Sequence, residues 1–178
     1  MKKIILSVAV FLQILNVSAQ KVKSEETKPF KFSAGVEAAL PLGNFGKNAS
    51  FGIGGSAQAD YNVATNIDIT LNAGYISFAG KSRTIPGLGT FKFSRQSYVP
   101  VLAGTKYHFT ENVFGSAQLG VTFISFSGGS GSTSVFTFAP GVGYKFSKNL
   151  DAILKYTGYS ATSMGTASTI GLRVGYTF

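Results

Sequence analysis

The sequence predicts an all-β fold: a closed antiparallel barrel of eight strands that crosses a membrane, preceded by a cleaved signal peptide. Three observations predict it. From Phe30 onward the chain alternates apolar and polar residues almost without interruption, the period of strands with one greasy and one polar face. The apolar face carries large aromatics and the polar face Gly, Ser, Thr and charge, over segments of about ten residues, a length that crosses a bilayer at a tilt. Strands of soluble sandwiches average nearer five or six residues. Finally, the spacing Tyr-x-apolar-x-x-Asn recurs at Tyr61 to Asn66, Tyr107 to Asn112 and Tyr144 to Asn149, and begins again at Tyr176, so one hairpin unit repeats. In each copy an alternating segment runs into tyrosine, a few residues turn the chain, and a new segment starts after asparagine. Tight turns along one rim, marked by aromatics at one membrane interface, are what such a barrel needs.

The chain divides into three stretches. In residues 1–19, Lys2 and Lys3 precede an apolar run from Ile4 to Leu15, and Val17-Ser18-Ala19 suits cleavage before Gln20, the pattern of a secretory signal peptide. The apolar run is too short for the ~20 residues of a transmembrane helix. Residues 20–29 form a polar leader with Lys21, Lys23, Glu25, Glu26 and Lys28, expected to be disordered on the periplasmic side. Residues 30–178 form the barrel domain.

Its segments follow in order. The first sets Phe30, Phe32, Ala34, Val36, Ala38 and Leu40 against Lys31, Ser33, Gly35 and Glu37. The second sets Phe51, Ile53, Ala57 and Ala59 against Ser56, Gln58 and Asp60, and the third sets Ile67, Ile69, Leu71, Ala73 and Tyr75 against Asp68, Thr70 and Asn72. The fourth opposes Val99, Val101 and Ala103 to Pro100, Gly104, Lys106 and His108. The fifth opposes Val113, Leu119, Val121 and Phe123 to Ser116, Gln118 and Thr122. The sixth has Phe136, Phe138, Pro140, Val142, Tyr144 and Phe146 opposite Gly141, Gly143 and Lys145. Leu150, Ala152, Leu154 and Tyr156 of the seventh alternate with Asp151, Ile153, Lys155 and Thr157. The eighth is the cleanest, with Ile170, Leu172, Val174, Tyr176 and Phe178 against Thr169, Gly171, Arg173, Gly175 and Thr177. Pro140 lacks a ladder donor, so it marks a bulge or a gap in pairing.

Connections alternate in length. Turns of a few residues lie at Asn66, Asn112 and Asn149, whereas Pro41 to Ser50, Ala79 to about Phe93, Phe126 to Ser134 and Ser160 to Ala167 are longer. Short periplasmic turns and longer outer loops are the usual asymmetry of bacterial barrels, which puts both termini in the periplasm. The longest loop carries Lys81, Arg83 and Lys92 with Arg95 nearby, around Pro86-Gly87-Leu88-Gly89. These cations have two readings: contact with lipopolysaccharide phosphates, or ordinary solvated charge. The Gly/Ser stretch Ser127 to Ser134 is read as flexible.

Composition removes several functions. There is no cysteine, hence no disulfide, thiol catalysis or Cys-ligated metal. The net charge of +9 falls to +7 without Lys2 and Lys3, compatible with anionic lipid, lipopolysaccharide or nucleic acid; the membrane context selects the first two. The single histidine, His108, has no Ser or carboxylate at triad spacing, and one His with scattered carboxylates forms no metal cluster. Gly52-Ile53-Gly54-Gly55 and Gly128-Gly129-Ser130-Gly131 neither precede a helix nor lead into Lys-Ser/Thr, so they are not phosphate loops. No cofactor is expected.

The segments, including Pro100-Val101-Leu102-Ala103-Gly104-Thr105-Lys106-Tyr107, and the terminal Gly171-Leu172-Arg173-Val174-Gly175-Tyr176-Thr177-Phe178 resemble the small eight-stranded bacterial outer-membrane barrels, of the type of OmpX and the membrane domain of OmpA. The resemblance covers Phe30 to Phe178. It implies an outer-membrane location, a monomer, lipid contact, and a last strand read by the barrel-assembly machinery. On this reading Tyr61, Tyr107, Phe109, Tyr144, Phe146, Tyr176 and Phe178 form the assembly signal and periplasmic girdle. Deleting Phe178 is expected to lower the yield of assembled barrel while export continues; unchanged assembly at native expression would count against the signal.

The inner face carries Lys31, Glu37, Asp60, Asp68, Lys106, Lys145, Asp151, Lys155 and Arg173. An eight-stranded barrel is just wide enough for its side chains to fill, and unpaired charges there would bear a desolvation cost. The expectation is therefore a plugged polar lumen and a structural or surface-interaction role through the outer loops. A narrow ion channel is the competing reading. Transport of apolar solutes, as proposed for OmpW-like barrels, would require a greasier interior, and an enzyme comes third.

Overall fold

The period-two pattern has a geometric consequence: one face of every strand turns outward and coats the molecule with apolar side chains. The computed structural model describes residues 30–85, 89–92, 94–127, 131–161 and 165–178; the signal segment and leader lie outside them. Among the described residues there are ten strands: β1 (Phe30–Leu42), β2 (Ala49–Ala64), β3 (Ile67–Gly80), β4 (Ser82–Ile85), β5 (Gly89–Lys92), β6 (Gln96–His108), β7 (Val113–Phe126), β8 (Ser132–Lys145), β9 (Leu150–Ala161) and β10 (Gly165–Thr177). A one-and-a-half-turn helix, α1 (Gly43–Asn48), joins β1 to β2. Eight strands close an antiparallel barrel in the order β1-β2-β3-β6-β7-β8-β9-β10, and β4 and β5 form a separate hairpin within the longest loop. The barrel strands run 12 to 16 residues, longer than the alternation marks, because ladder hydrogen bonds continue past the apolar band into the loops.

Closure sets the stagger. Following paired residues once around from Phe32 through Ala59, Leu71, Ala103, Leu119, Phe138, Gly158 and Ser168 returns to β1 at Leu42, ten residues farther on. Eight strands with this stagger tilt by roughly 40° from the barrel axis. Outward residues such as Val36, Ile53, Leu71, Leu119, Leu154 and Leu172 are exposed, while the inward set is buried. Pro140 coincides with a gap: the β8–β9 ladder is open at Ala139 and Pro140, with Phe138↔Gly158 and Gly141↔Lys155 in unbroken register on either side. Pro100 sits at a matching gap in the β3–β6 ladder, between Ala73↔Val101 and Ile76↔Tyr98. In both places the missing N–H is accommodated by opening the ladder rather than by a bulge.

The repeated turns share one rim, the turn rim. Asn66, Asn112 and Asn149 each accept, through the backbone carbonyl, the N–H of the neighbouring strand's end at His108, Lys145 and Thr177 (2.8, 2.8 and 2.7 Å). In the second and third copies a hydroxyl holds the turn: Thr110 Oγ1 accepts from Val113 N–H at 3.0 Å and Ser147 Oγ from Leu150 N–H at 3.1 Å, the Ser/Thr turn. The first copy has Ala64 in that place, and there the chain instead makes a two-residue turn with an irregular register between Asn62 and Ala64, stapled by Asn62 Nδ2 to Ala64 O at 2.9 Å.

Candidate functional site in the barrel lumen

Basic side chains long enough to reach over an intervening strand meet acids across the lumen. Lys106 of β6 passes β3 to Asp60 of β2 (2.6 Å), and Lys155 of β9 passes β10 to Glu37 of β1 (2.8 Å). His108 Nε2 lies 2.7 Å from Asp68 Oδ2. Arg173 is fully buried between Gly35 and Gly175; a Cβ at Gly175 would lie 2.2 Å from its Nη1. Its Nε and Nη2 donate to Ser56 and Ser33 (both 2.9 Å), and Nη1 stands 3.5 Å from Asp151 Oδ1. That last contact is an ion pair and not a hydrogen bond, since both atoms lack a hydrogen-bond partner. Amides fill the spaces between the pairs. Gln58 donates to Asp60 (2.8 Å) and accepts from Asn72 (3.2 Å), Gln118 donates to Thr70 (3.1 Å), and Asn62 donates to Asp68 (2.8 Å).

Lys31 and Lys145 also face the lumen, at the turn rim, but among the described residues no carboxylate lies within ion-pair distance of either. Lys145 instead hangs over the ring of Phe114 at 5.9 Å, as Lys106 does at 5.2 Å. Phe114 is wholly buried and packs where Gly143 leaves room, since a Cβ there would meet the ring at 2.2 Å. The alternation around Val113 places Phe114 inward; its apolar character hid it among lipid-facing neighbours.

The lumen is polar only in part, and this departs from the sequence expectation. Toward the loop rim the inward residues become Ala39, Ile76, Phe78, Tyr98, Ile124, Val135 and Tyr159, a buried apolar cluster. Phe78, Tyr98 and Tyr159 stack edge to face at 5.0 Å, and Phe45 from α1 closes over Phe78 and Tyr98 at 5.2 and 5.8 Å. Lys81 Nζ donates to Gly46 O at 2.6 Å, tying α1 down. Between the Lys155–Glu37 pair and this cap lies a cavity of about 10 Å³, room for one water at most. Isolated inward aromatics on β3, β6 and β9 sit past the point where polar alternation fades, so their meeting could be found only once register was known.

The aromatic residues of the turn rim point outward and pair locally. Tyr107–Phe109, Tyr144–Phe146 and Tyr176–Phe178 are edge to face at 5.2, 5.2 and 5.5 Å, and Tyr61 packs on Phe30 at 4.6 Å. At the opposite rim Arg95 is exposed. The side chains of Arg83 and Lys92 lie outside the described residues.

Residues 7–178 match the family model described as outer membrane protein β-barrel domain. The chain belongs to that family. Solved barrels of similar shape include Ail of Yersinia pestis in complex with the heparin analogue sucrose octasulfate (16% identity, TM-score 0.56, 84% of this chain and 97% of that one). Others are the neisserial surface protein NspA (16%, 0.54, 86% and 100%) and the N-terminal barrel of Pseudomonas aeruginosa OprF (17%, 0.51, 82% and 97%). At these identities the likeness shows the fold alone. No curated protein matches the chain in sequence. The family and these neighbours are bacterial outer-membrane barrels, and the apolar coat of this chain is what such a location requires.

Proposed function

We propose that this family member is a closed-lumen outer-membrane barrel whose work is done at its surface, with the turn rim and both termini in the periplasm and the long loops facing outward. The observation that carries the reading is the obstructed axis: a layer of bridged charges, then a cavity of about 10 Å³, then an aromatic cap. Conduction needs a continuous hydrated path, and both layers oppose one. The aromatic pairs of the turn rim serve as the interfacial girdle, and the last strand as the feature read by the barrel-assembly machinery. Exposed Arg95 and the basic loop residues Lys81, Arg83 and Lys92 give the loop rim its affinity for lipopolysaccharide phosphates.

A narrow pore is the rival. Its support is the charged half of the lumen on the turn-rim side. Planar-bilayer recording separates the two: the wild-type protein is expected to give no steady conductance, and Phe45→Ala to leave it silent, because Phe78, Tyr98 and Tyr159 remain. Large, reproducible, ion-selective currents from the wild type would replace the closed barrel by the channel.

A further inference from the structure

We propose that the mouth at the turn rim is a binding site for a phosphate-bearing anion, held by Lys31 and Lys145. The rim opens into a bowl of about 500 Å³ lined by Lys31, Asn62, Asp68, His108, Glu111 and Lys145 among others. Below it a narrower throat of about 40 Å³ reaches Asp60, Lys106 and Asp151. Four residues border both spaces: Lys31, Asp68, His108 and Lys145.

Deeper charges cancel in pairs. Lys106 is matched by Asp60, Arg173 by Asp151 and Lys155 by Glu37, while Asp68 is held by His108 and Asn62. Lys31 and Lys145 have no such carboxylate among the described residues, so two half-buried ammonium groups remain over an open hollow of ligand size. Lys145 is partly desolvated against Phe114, which strengthens its attraction for an anion relative to a freely hydrated lysine. A doubly charged oxyanion satisfies both ammonium groups at once with charge-assisted hydrogen bonds. Free phosphate and a phospholipid headgroup share that chemistry.

The test is a titration of isotope-labelled protein in phosphatidylcholine nanodiscs with inorganic phosphate, followed through backbone amide shifts. At the turn rim, saturable shifts centred on Lys31, His108 and Lys145 are expected. Lys31→Gln with Lys145→Gln should weaken binding at this site at least tenfold, whereas Lys47→Gln, at an exposed position of α1 on the opposite rim, should change it less than twofold. If the double variant fails to assemble, Lys31→Gln alone carries the comparison. Nanodiscs containing phosphatidic acid identify the source: amides already shifted before phosphate is added mean a lipid headgroup, unshifted amides mean the free anion. Turn-rim shifts that are absent, do not saturate or survive loss of the lysines would make phosphate an adventitious ion only and overturn the site.

Discussion

Replacing Glu37 with alanine is expected to destabilise the barrel by about 3–5 kcal/mol, the cost of stranding a buried charge when its partner is removed. The side chain of Glu37 is 2% exposed and that of Lys155, its partner at 2.8 Å, is 11% exposed. Alanine removes the anion and leaves a largely buried ammonium without its counter-ion. Urea unfolding in lipid vesicles, read by the difference in gel mobility between boiled and unboiled samples, measures the loss. The double variant Glu37→Ala with Lys155→Met should recover most of it, because replacing a whole buried pair by apolar groups is often neutral. A single variant as stable as the wild type would mean that the lumen charges are already hydrated, the condition of a pore and not of a plug.

The other large effect falls on a glycine. Gly104 of β6 faces its neighbour so closely that a Cβ would lie 2.0 Å from Ala117 O and 2.6 Å from Gln118 Cα, and Gly54 and Gly120 meet backbone in the same way at 1.9 and 2.1 Å. Backbone cannot rotate aside as a side chain can, so Gly104→Val must push β6 and β7 apart. The expected result is a loss at or beyond the upper end of overpacking, about 3 kcal/mol, and little or no compact, fast-migrating form on an unboiled gel. Gly55→Ala is the control: its nearest contact would be Gly35 O at 3.4 Å, and it should assemble as the wild type does. Normal assembly of Gly104→Val would show that this strand pair is looser than its geometry.

How much was legible from the chain can be judged strand by strand. The outward faces, the strand count and the three turns at Asn66, Asn112 and Asn149 follow from residue order, because side-chain direction in a strand depends only on parity and a tight turn only on its own few residues. The inward position of each charge follows from the same parity. Their partners do not. Lys106 lies directly opposite Asp68 in the ladder, yet it reaches over to Asp60 and leaves Asp68 to His108. That choice depends on the ten-residue stagger around the barrel and on the space Phe114 occupies.

The sequence by itself determined a barrel: alternation is a local property, and an apolar outer face with a polar inner one leaves eight long strands no other way to satisfy every backbone hydrogen bond in lipid. Tertiary structure alone decided what fills it. Phe45, Phe78, Tyr98 and Tyr159 come from four separate elements and become a cap only when closure brings those elements to one end. Likewise Lys31 and Lys145, 114 positions apart in the chain, become half-buried lumen cations without a carboxylate partner among the described residues only after closure has given Lys106, Lys155 and Arg173 their acids. Residue order records which way each side chain points; stagger and curvature set which side chains meet, and those are properties of all eight strands at once.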